Sequence, residues 1–236
     1  MVFRLPRILR KIWLPVAILF IAACSPAIRV ERNPYQLDLI TDVQVYHTLV
    51  DQNPPMKMVD LEERIPGILL DVRYATDDNF TGEVIYTLPK AFLRQPVAHA
   101  LAGVTDSLSR LGLGLKIWDA YRPYAATLRF FEVYPDTNFV ANPRVGSRHN
   151  RGCAVDLTLI DLVSGLELEM PTDFDDFSRQ AHPTCTELSE AAIANRELLF
   201  GIMKHFGFLH YSTEWWHFDF EGWENFPLMD LAFEEL

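Results

Sequence analysis

A histidine and an aspartate lie seven positions apart in SRHNRGCAVDLTL, residues 147–159. Asp156 sits in an apolar run typical of a strand, where an ionised carboxylate is expensive to desolvate unless a cation or several donors compensate it. Zn²⁺ binds imidazole nitrogen and carboxylate oxygen, so His149 and Asp156 could supply two ligands to one ion across Gly152. The pair alone does not establish a metal site, because this spacing occurs readily by chance.

The segment EWWHFDF, residues 214–220, offers a third ligand and a base. Glu214 lies in a predicted turn and His217 on the strand that follows, so both side chains could face one cavity. Three protein ligands with an open fourth position are typical of a hydrolytic zinc site. Glu214 could then act as the general base and pass a proton to the leaving amine. The alternative is an aromatic core strand with one hydrogen-bonded histidine and a solvent-exposed turn carboxylate.

Arg122 lies in WDAYRP, residues 118–123, at the end of a predicted strand. A guanidinium fixed there could reach the reacting carbonyl and stabilise a developing oxyanion. The alternative is a surface arginine that pairs with Asp119.

The elements that must position these residues follow from periodicity and from turn residues. Gly67–Tyr74 is rich in aliphatic residues and predicts a strand. The next predicted elements are a helix that begins near Pro96 and is stopped by Gly112 and Gly114, a strand at 115–118, and a helix that begins at Pro123. A strand within 149–160, a helix with a Thr184/Glu187 capping box that ends at Gly207, and two short aromatic strands around Ser212 and Thr213 follow. This interleaved order predicts a single α+β domain with a mainly antiparallel central sheet flanked by helices.

The first residues are typical of a secretory signal. Basic residues at positions 4–11 precede an uncharged apolar stretch, residues 12–23, which is shorter than the roughly 20 residues of a spanning helix. The run that ends in Cys24 resembles a bacterial lipoprotein signal, in which the cysteine carries the lipid anchor. Ser25, rather than aspartate, follows and by resemblance favours the outer membrane. We expect a periplasmic, lipid-anchored protein of a Gram-negative bacterium; an ordinary signal peptide with a coincidental cysteine is the alternative.

The remaining chain is acidic. Four of the 21 basic residues and none of the 32 acidic ones lie in residues 1–23, so the other 213 residues carry 17 basic and 32 acidic side chains, a net charge of −15. This charge argues against nucleic acid or anionic lipid as a partner. No protein partner is indicated. Cys153 and Cys185 could form a disulfide in an oxidising periplasm, or could equally be two buried small residues.

Four motifs together resemble one family. SRHNRGCAVDLTL, EWWHFDF, WDAYRP and DVRYATDDNFTG match, in order, the signatures of the D-alanyl-D-alanine dipeptidases of the vancomycin-resistance type, within the Hedgehog/D,D-peptidase fold. The resemblance runs from about residue 58 to residue 220. It implies one zinc ion per chain and a small dipeptide, D-Ala-D-Ala, as the substrate.

The resemblance also implies residue roles. His149, Asp156 and His217 match the zinc ligands, Glu214 the catalytic base, and Arg122 the transition-state stabiliser. The positions that match segments lining the substrate pocket are Ser147, Tyr74 and Asp175. Their alternative roles are a loop hydroxyl, a core tyrosine and a solvated acid.

The resemblance divides the chain into a signal peptide at 1–23, a lipid-anchored tether and N-terminal extension at 24–57, and a zinc dipeptidase domain at 58–236. The signal and the extension differ from the cytoplasmic resistance enzymes and suggest turnover of dipeptides released from the cell wall. Two other functions stay open. One is a D,D-carboxypeptidase that trims longer peptidoglycan peptides, and the other is a non-catalytic zinc-bearing binding module.

Overall fold

The computed structural model describes Met1 and residues 33–236. The predicted lipid anchor Cys24 and, apart from Met1, the predicted signal peptide lie outside the described residues. The chain from residue 33 onward belongs to one compact unit. Within residues 33–236, no helix is both long and apolar enough to cross a bilayer.

A five-stranded sheet forms the centre of this unit, with strand order β3-β5-β6-β8-β7. Its strands are β3 (Leu69–Leu70), β5 (Leu113–Asp119), β6 (Ala154–Asp161), β7 (Phe208–His210) and β8 (His217–Phe220). Only β3 is parallel to its neighbour, and the other three pairings are antiparallel. The predicted α+β fold with a mainly antiparallel central sheet is therefore confirmed.

Two short pairings lie outside the central sheet. One joins β1 (Leu39–Ile40) in parallel with β9 (Leu228–Met229), and the other joins β2 (Met58–Asp60) antiparallel to β4 (Phe92–Arg94). The first pairing fastens the start of the described chain to its C-terminal part.

The helices are α1 (Val43–Gln52), α2 (Leu61–Arg64), α3 (Gln95–Ser109), α4 (Tyr124–Val133) and α5 (Glu190–His205). The apolar residues that repeat at helical spacing along α3, from Val97 to Leu108, are buried and contribute to the main core. Leu111 lies exposed beyond the helix end. Helices α3 and α5 pack against each other, α3 also against β5, and α5 also against β7. Burial of these apolar stripes holds the helices on the sheet.

The segment before residue 58 contains a helix that packs onto the domain. Asp42 caps α1 by accepting a hydrogen bond from the Gln44 amide at 2.7 Å. Tyr46 is buried, and its hydroxyl accepts a hydrogen bond from the Met58 amide at 2.7 Å. Part of the predicted N-terminal extension thus contributes to the hydrophobic core.

The predicted strand over Gly67–Tyr74 is mostly wrong, because only Leu69 and Leu70 pair with β5. The chain then turns, and the amide of Ala75 donates to the Val72 carbonyl at 3.0 Å. Tyr74 therefore lies on a short 3₁₀ helix, Arg73–Ala75, where its ring is buried.

Two boundary predictions are also wrong. Gly114 lies inside β5 rather than stopping α3. Helix α5 begins after Ser189, whose hydroxyl accepts a hydrogen bond from the Ala192 amide at 3.0 Å, so Thr184 and Glu187 do not form its capping box. Glu187 instead lies 3.6 Å from the guanidinium of Arg179.

Cys153 and Cys185 are both free and both buried. Of the two alternatives, the structure shows two buried small residues rather than a disulfide.

Candidate metal centre and active-site cavity

The sheet register brings distant residues into one row. Asp119 at the end of β5 lies opposite Asp156 on β6, and Asp156 lies opposite His217 on β8. Directly opposed residues of antiparallel strands have Cβ atoms about 4.5–5.5 Å apart. A shift in register just before Asp119 accompanies this arrangement, and such irregularities are frequent beside active sites.

His149 reaches the row from outside the sheet. It begins a 3₁₀ turn, His149–Arg151, and Gly152 follows with φ of 69°, a left-handed conformation that glycine adopts without strain. This turn leads the chain into β6. Gly152 thus lies between His149 and Asp156 at the turn that brings the two side chains together.

The three predicted metal ligands converge. Their ligand atoms all lie within 4.8 Å of one another, and all three residues are buried. His149 Nε2 lies 3.1 Å from His217 Nδ1 and 3.4 Å from Asp156 Oδ2. His217 Nδ1 lies 3.0 Å from Asp156 Oδ1.

The outer ring nitrogens decide which atoms face inward. His149 Nδ1 lies 2.6 Å from the carbonyl oxygen of Ala120, which can only accept, so Nδ1 carries a hydrogen. His217 Nε2 lies 2.9 Å from Asp219 Oδ1 and donates in the same way. In the neutral rings, the inward nitrogens of both histidines therefore present lone pairs to each other and to Asp156.

This donor set fits a zinc ion. Three acceptor atoms that converge in a buried space need a positive charge between them, and two imidazoles with one carboxylate are a ligand set of catalytic zinc sites. Asp156 Oδ1 is buried and, with both histidine rings neutral, receives no hydrogen bond within the described part of the chain. A cation at the centre of the three side chains would satisfy that oxygen.

The charges around the centre also favour a bound cation. Burial opposes ionisation of Asp156, but His149 and His217 outweigh it and hold the pKa of this carboxyl well below its usual range. Burial lowers the pKa of His217, whereas Asp219 and Asp156 together raise it well above its usual value. The raised pKa of His217 favours its protonated form in the absence of an ion, and a zinc ion held by the three residues would replace that proton.

Glu214 lies beside the three ligands. Its carboxylate is largely buried, and Oε2 lies 3.9 Å from His217 Nδ1. Burial raises the pKa of Glu214 to about 7, with His217 lowering it and Asp156 raising it. The adjacent Trp215 is fully buried, and its amide donates to the Ala181 carbonyl at 3.0 Å, which fixes the turn. A carboxyl with this pKa is suited to accept and release a proton near neutral pH.

Arg122 is buried rather than at the surface. Its Nε and Nη2 atoms donate to Asp119 Oδ2 at 3.0 Å and 2.7 Å, and Nη2 lies 3.9 Å from Asp156 Oδ2. The other Asp119 oxygen accepts from the Tyr86 hydroxyl at 2.8 Å. The predicted pairing with Asp119 is therefore present, but it fixes the guanidinium inside the cavity instead of on the protein surface.

The three predicted substrate-binding residues all line the same cavity, which encloses about 210 Å³. The Tyr74 hydroxyl lies 3.0 and 3.1 Å from the two carboxylate oxygens of Asp175. Asp175 has φ of 57°, a left-handed conformation that is uncommon outside glycine. Burial and then the charge of Asp156 raise the pKa of Asp175 well above its usual value. The Ser147 hydroxyl accepts from the His149 amide at 3.2 Å.

Sequence reasoning did not identify two acids of this site. Asp219 orients His217, and their spacing of two residues on a strand places both side chains on one face of the sheet. The alternation of side chains between the two faces of a strand was therefore the sequence signal that could have identified Asp219. Asp119 appeared only as a possible surface partner of Arg122, because its burial depends on the pairing of β5 with β6.

Comparison with known proteins agrees with this geometry. The profile of the family described as D-ala-D-ala dipeptidase, Peptidase_M15, matches residues 55–230. The D-alanyl-D-alanine dipeptidase of Escherichia coli (strain K12) is 38% identical over 173 residues, which are 73% of this chain and 89% of that protein. The D-alanyl-D-alanine dipeptidase of Enterococcus faecalis (strain ATCC 700802 / V583) is 33% identical over 178 residues, 67% of this chain and 88% of that protein.

Among solved structures, the LdcB LD-carboxypeptidase covers 77% of this chain and 77% of its own, with 19% identity and a TM-score of 0.42. The profile match covers most of the chain, including every residue of the metal centre, and the two relatives align with 73% and 67% of the chain. The chain belongs to the D-Ala-D-Ala dipeptidase family of peptidases, Peptidase_M15.

Proposed function

We propose that this protein hydrolyses the free dipeptide D-Ala-D-Ala to two D-alanines, with one zinc ion held by His149, Asp156 and His217. The observation that carries the proposal is the convergence of the three inward-facing ligand atoms within 4.8 Å, beside a buried glutamate. The two relatives named D-alanyl-D-alanine dipeptidase support the choice of substrate.

The chain supplies the proton transfers of the reaction. Zinc, when bound, polarises the scissile carbonyl and lowers the pKa of water. Glu214 accepts a proton from the attacking water and passes it to the leaving amine, so the hydroxyl joins the carbonyl carbon as the C–N bond breaks. Arg122, held by Asp119, directs its positive charge at the oxygen on which negative charge develops.

The cavity is chemically suited to a free dipeptide, which carries one ammonium and one carboxylate. An ammonium beside Asp175 would favour the ionised form of this carboxyl, whose pKa burial and Asp156 otherwise raise, and the Tyr74 hydroxyl donates to its oxygens. Ser147 lines the same cavity and offers a hydroxyl. A volume of about 210 Å³ lies below the roughly 300–1,000 Å³ usual for ligand pockets.

This small volume also bears on the carboxypeptidase alternative, because the two activities differ in pocket closure rather than in chemistry. We expect the free dipeptide to be hydrolysed faster than an acylated tripeptide that ends in D-Ala-D-Ala. Faster hydrolysis of the acylated tripeptide would favour a D,D-carboxypeptidase.

A binding module needs only the three ligands. The presence of a buried Glu214 and a buried Arg122 at the same centre favours catalysis over binding alone. Buried ionisable groups that converge in one cavity, with pKa values shifted by burial and by nearby charges, are typical of a functional site.

Metal analysis paired with an activity assay tests the proposal. We expect about one zinc per chain, D-Ala-D-Ala hydrolysis, loss of both on treatment with a chelator, and recovery on addition of zinc. Full hydrolysis by metal-free protein would contradict the zinc mechanism, and zinc binding without any hydrolysis would favour the binding module.

We further propose that the protein is periplasmic and anchored in the outer membrane through lipid on Cys24. The resemblance of residues 12–24 to a lipoprotein signal supports this location. Fractionation of cells that express the wild type and Cys24→Ser tests it. We expect the wild type in the membrane fraction and the variant outside it, and equal distribution of the two would contradict the anchor.

In that location the enzyme would act on D-amino-acid dipeptides released from the cell wall. A clean deletion of the gene tests this role. We expect periplasmic D-Ala-D-Ala hydrolysis to fall, and unchanged hydrolysis would contradict the role without contradicting the activity of the purified enzyme.

A further inference from the structure

We propose that one wall of the cavity, built from phenylalanine rings, sets the largest substrate side chain that the enzyme accepts. This aromatic wall consists of Phe80, Phe130, Phe139 and Phe177, all of which line the cavity. The inference rests on the proposed dipeptidase function and concerns the specificity of that same site.

The rings of the wall contact one another in sequence. Phe130 lies 5.2 Å from Phe80, Phe80 lies 5.6 Å from Phe177, and Phe177 lies 4.9 Å from Phe139, measured between ring centroids. These spacings are in the range of favourable aromatic pairs. The four rings therefore form a continuous apolar surface.

The wall extends from the catalytic centre to the protein surface. At its inner end, Phe130 is buried and lies under the guanidinium of Arg122, with 4.7 Å between the ring centroid and Cζ. The other three rings are only partly buried, and the exposed ring of Tyr134 adjoins Phe177 at 5.3 Å. A substrate next to Arg122 therefore lies at the inner end of the aromatic wall.

The outer rings come from separate loops. Phe139 lies in the segment after α4, and Phe177 lies in the segment after β6. The first of these loops is also tied to the catalytic turn, because the Thr213 hydroxyl donates to the Asn138 carbonyl at 3.3 Å. The ring of Phe139 is thus positioned relative to Glu214, which follows Thr213.

A wall of this kind selects by size. The phenyl rings offer no hydrogen-bonding groups, and the cavity has a volume of only about 210 Å³, so we expect a larger substrate side chain to require displacement of a ring. In hydrophobic pockets, one methylene changes specificity by roughly 10–200-fold. The rings therefore favour alanine-sized side chains.

Phe177→Ala and Phe139→Ala test the inference. The measurement is kcat/KM for D-Ala-D-Ala, D-Leu-D-Ala and D-Ala-D-Leu, all of which keep the ammonium and the carboxylate. We expect the wild type to favour D-Ala-D-Ala, and each variant to increase the ratio of at least one leucine-containing dipeptide to D-Ala-D-Ala by about tenfold.

Phe200→Ala is the matched control, since Phe200 is also partly buried but stacks on His210 at 4.5 Å and does not line the cavity. Its selectivity should equal that of the wild type. If an alanine variant fails to fold, Phe177→Leu is measured in its place, since it replaces the ring with a smaller aliphatic side chain.

Three outcomes overturn the inference: unchanged ratios in folded, zinc-loaded variants, an equal change in the control, or a wild type that already accepts the leucine dipeptides equally well. If the wild type hydrolyses none of the dipeptides, the proposed function fails instead. The two failures are therefore distinguishable.

Discussion

The polar half and the aromatic half of the cavity are built in different ways. In the polar half, Asp119, Asp156 and His217 lie in one row across three adjacent strands of the central sheet. In the aromatic half, Phe80, Phe139 and Phe177 lie outside the helices and strands and are only partly buried. Asp119 and two of the three ligands thus lie on the sheet, whereas three of the four rings of the aromatic wall lie in loops and Phe130 lies on α4.

The difference separates two requirements of an enzyme. Metal ligands must stay within a few tenths of an ångström of their positions, and a sheet with hydrogen-bonded neighbours provides that rigidity. A wall that selects by size needs only bulk, and loops tolerate changes in sequence more readily than strands. Substitutions in the polar half should therefore change zinc binding and turnover, whereas substitutions in the aromatic half should change substrate selectivity.

Asp156→Asn should cause the largest effect. The substitution removes the only charged ligand of the centre, so we expect loss of bound zinc and a fall in kcat/KM on the order of 10⁴-fold or more. Elemental analysis and a D-Ala-D-Ala assay check both. Asp106→Asn, an exposed aspartate on α3, is the control and should retain both. Retention of zinc and activity by Asp156→Asn would mean that the polar half is not the metal centre.

Glu214→Gln should separate metal binding from catalysis. The amide cannot accept the water proton, so we expect a fall in kcat of about 10²–10⁴-fold with zinc content unchanged. The control is Glu187→Gln, since the Glu187 side chain is 72% exposed and lies outside the cavity. Full turnover by Glu214→Gln would remove this residue from the mechanism.

Asp219→Asn should have a smaller effect on the same half. Asp219 accepts the His217 Nε2 hydrogen at 2.9 Å and so fixes which ring nitrogen faces the centre. We expect zinc affinity to fall by about 10–100-fold, as measured by competition with a chromophoric chelator. Selectivity between D-Ala-D-Ala and D-Leu-D-Ala should not change. A shift in that selectivity would mean that the two halves are not independent.

The polar half was largely predictable from the sequence, whereas the aromatic half was not. His149, Asp156, Glu214 and His217 could be identified because they lie in motifs that, taken together and in order, resemble one family, although each spacing alone occurs readily by chance. Phe139 and Phe177 lie in loops without a periodic pattern, and phenylalanine there is equally consistent with a core residue. Their convergence depends on loop conformations, which no local pattern specifies.

The fold shows the same contrast. Helix α3 was predictable because its apolar residues repeat at helical spacing, and β6 because its apolar run is long. The start of α5 was not, because Thr184 and Ser189 are both favourable caps and only the packed helix decides between them. The capping preference of a residue type alone does not decide which of the two residues begins the helix.

Ser189→Ala should have the smallest effect, and it separates stability from selectivity. The hydroxyl caps α5, which lies outside both halves of the cavity, and its loss should lower the free energy of unfolding by about 1 kcal/mol. Urea denaturation measures this change. Because neither the ligand row nor the aromatic wall is altered, zinc affinity and the ratio of D-Leu-D-Ala to D-Ala-D-Ala hydrolysis should equal those of the wild type. A changed ratio of D-Leu-D-Ala to D-Ala-D-Ala hydrolysis in Ser189→Ala would show that destabilisation alone relaxes selectivity. The change measured in the phenylalanine variants could then be ascribed to the aromatic wall only where it exceeds the change in Ser189→Ala.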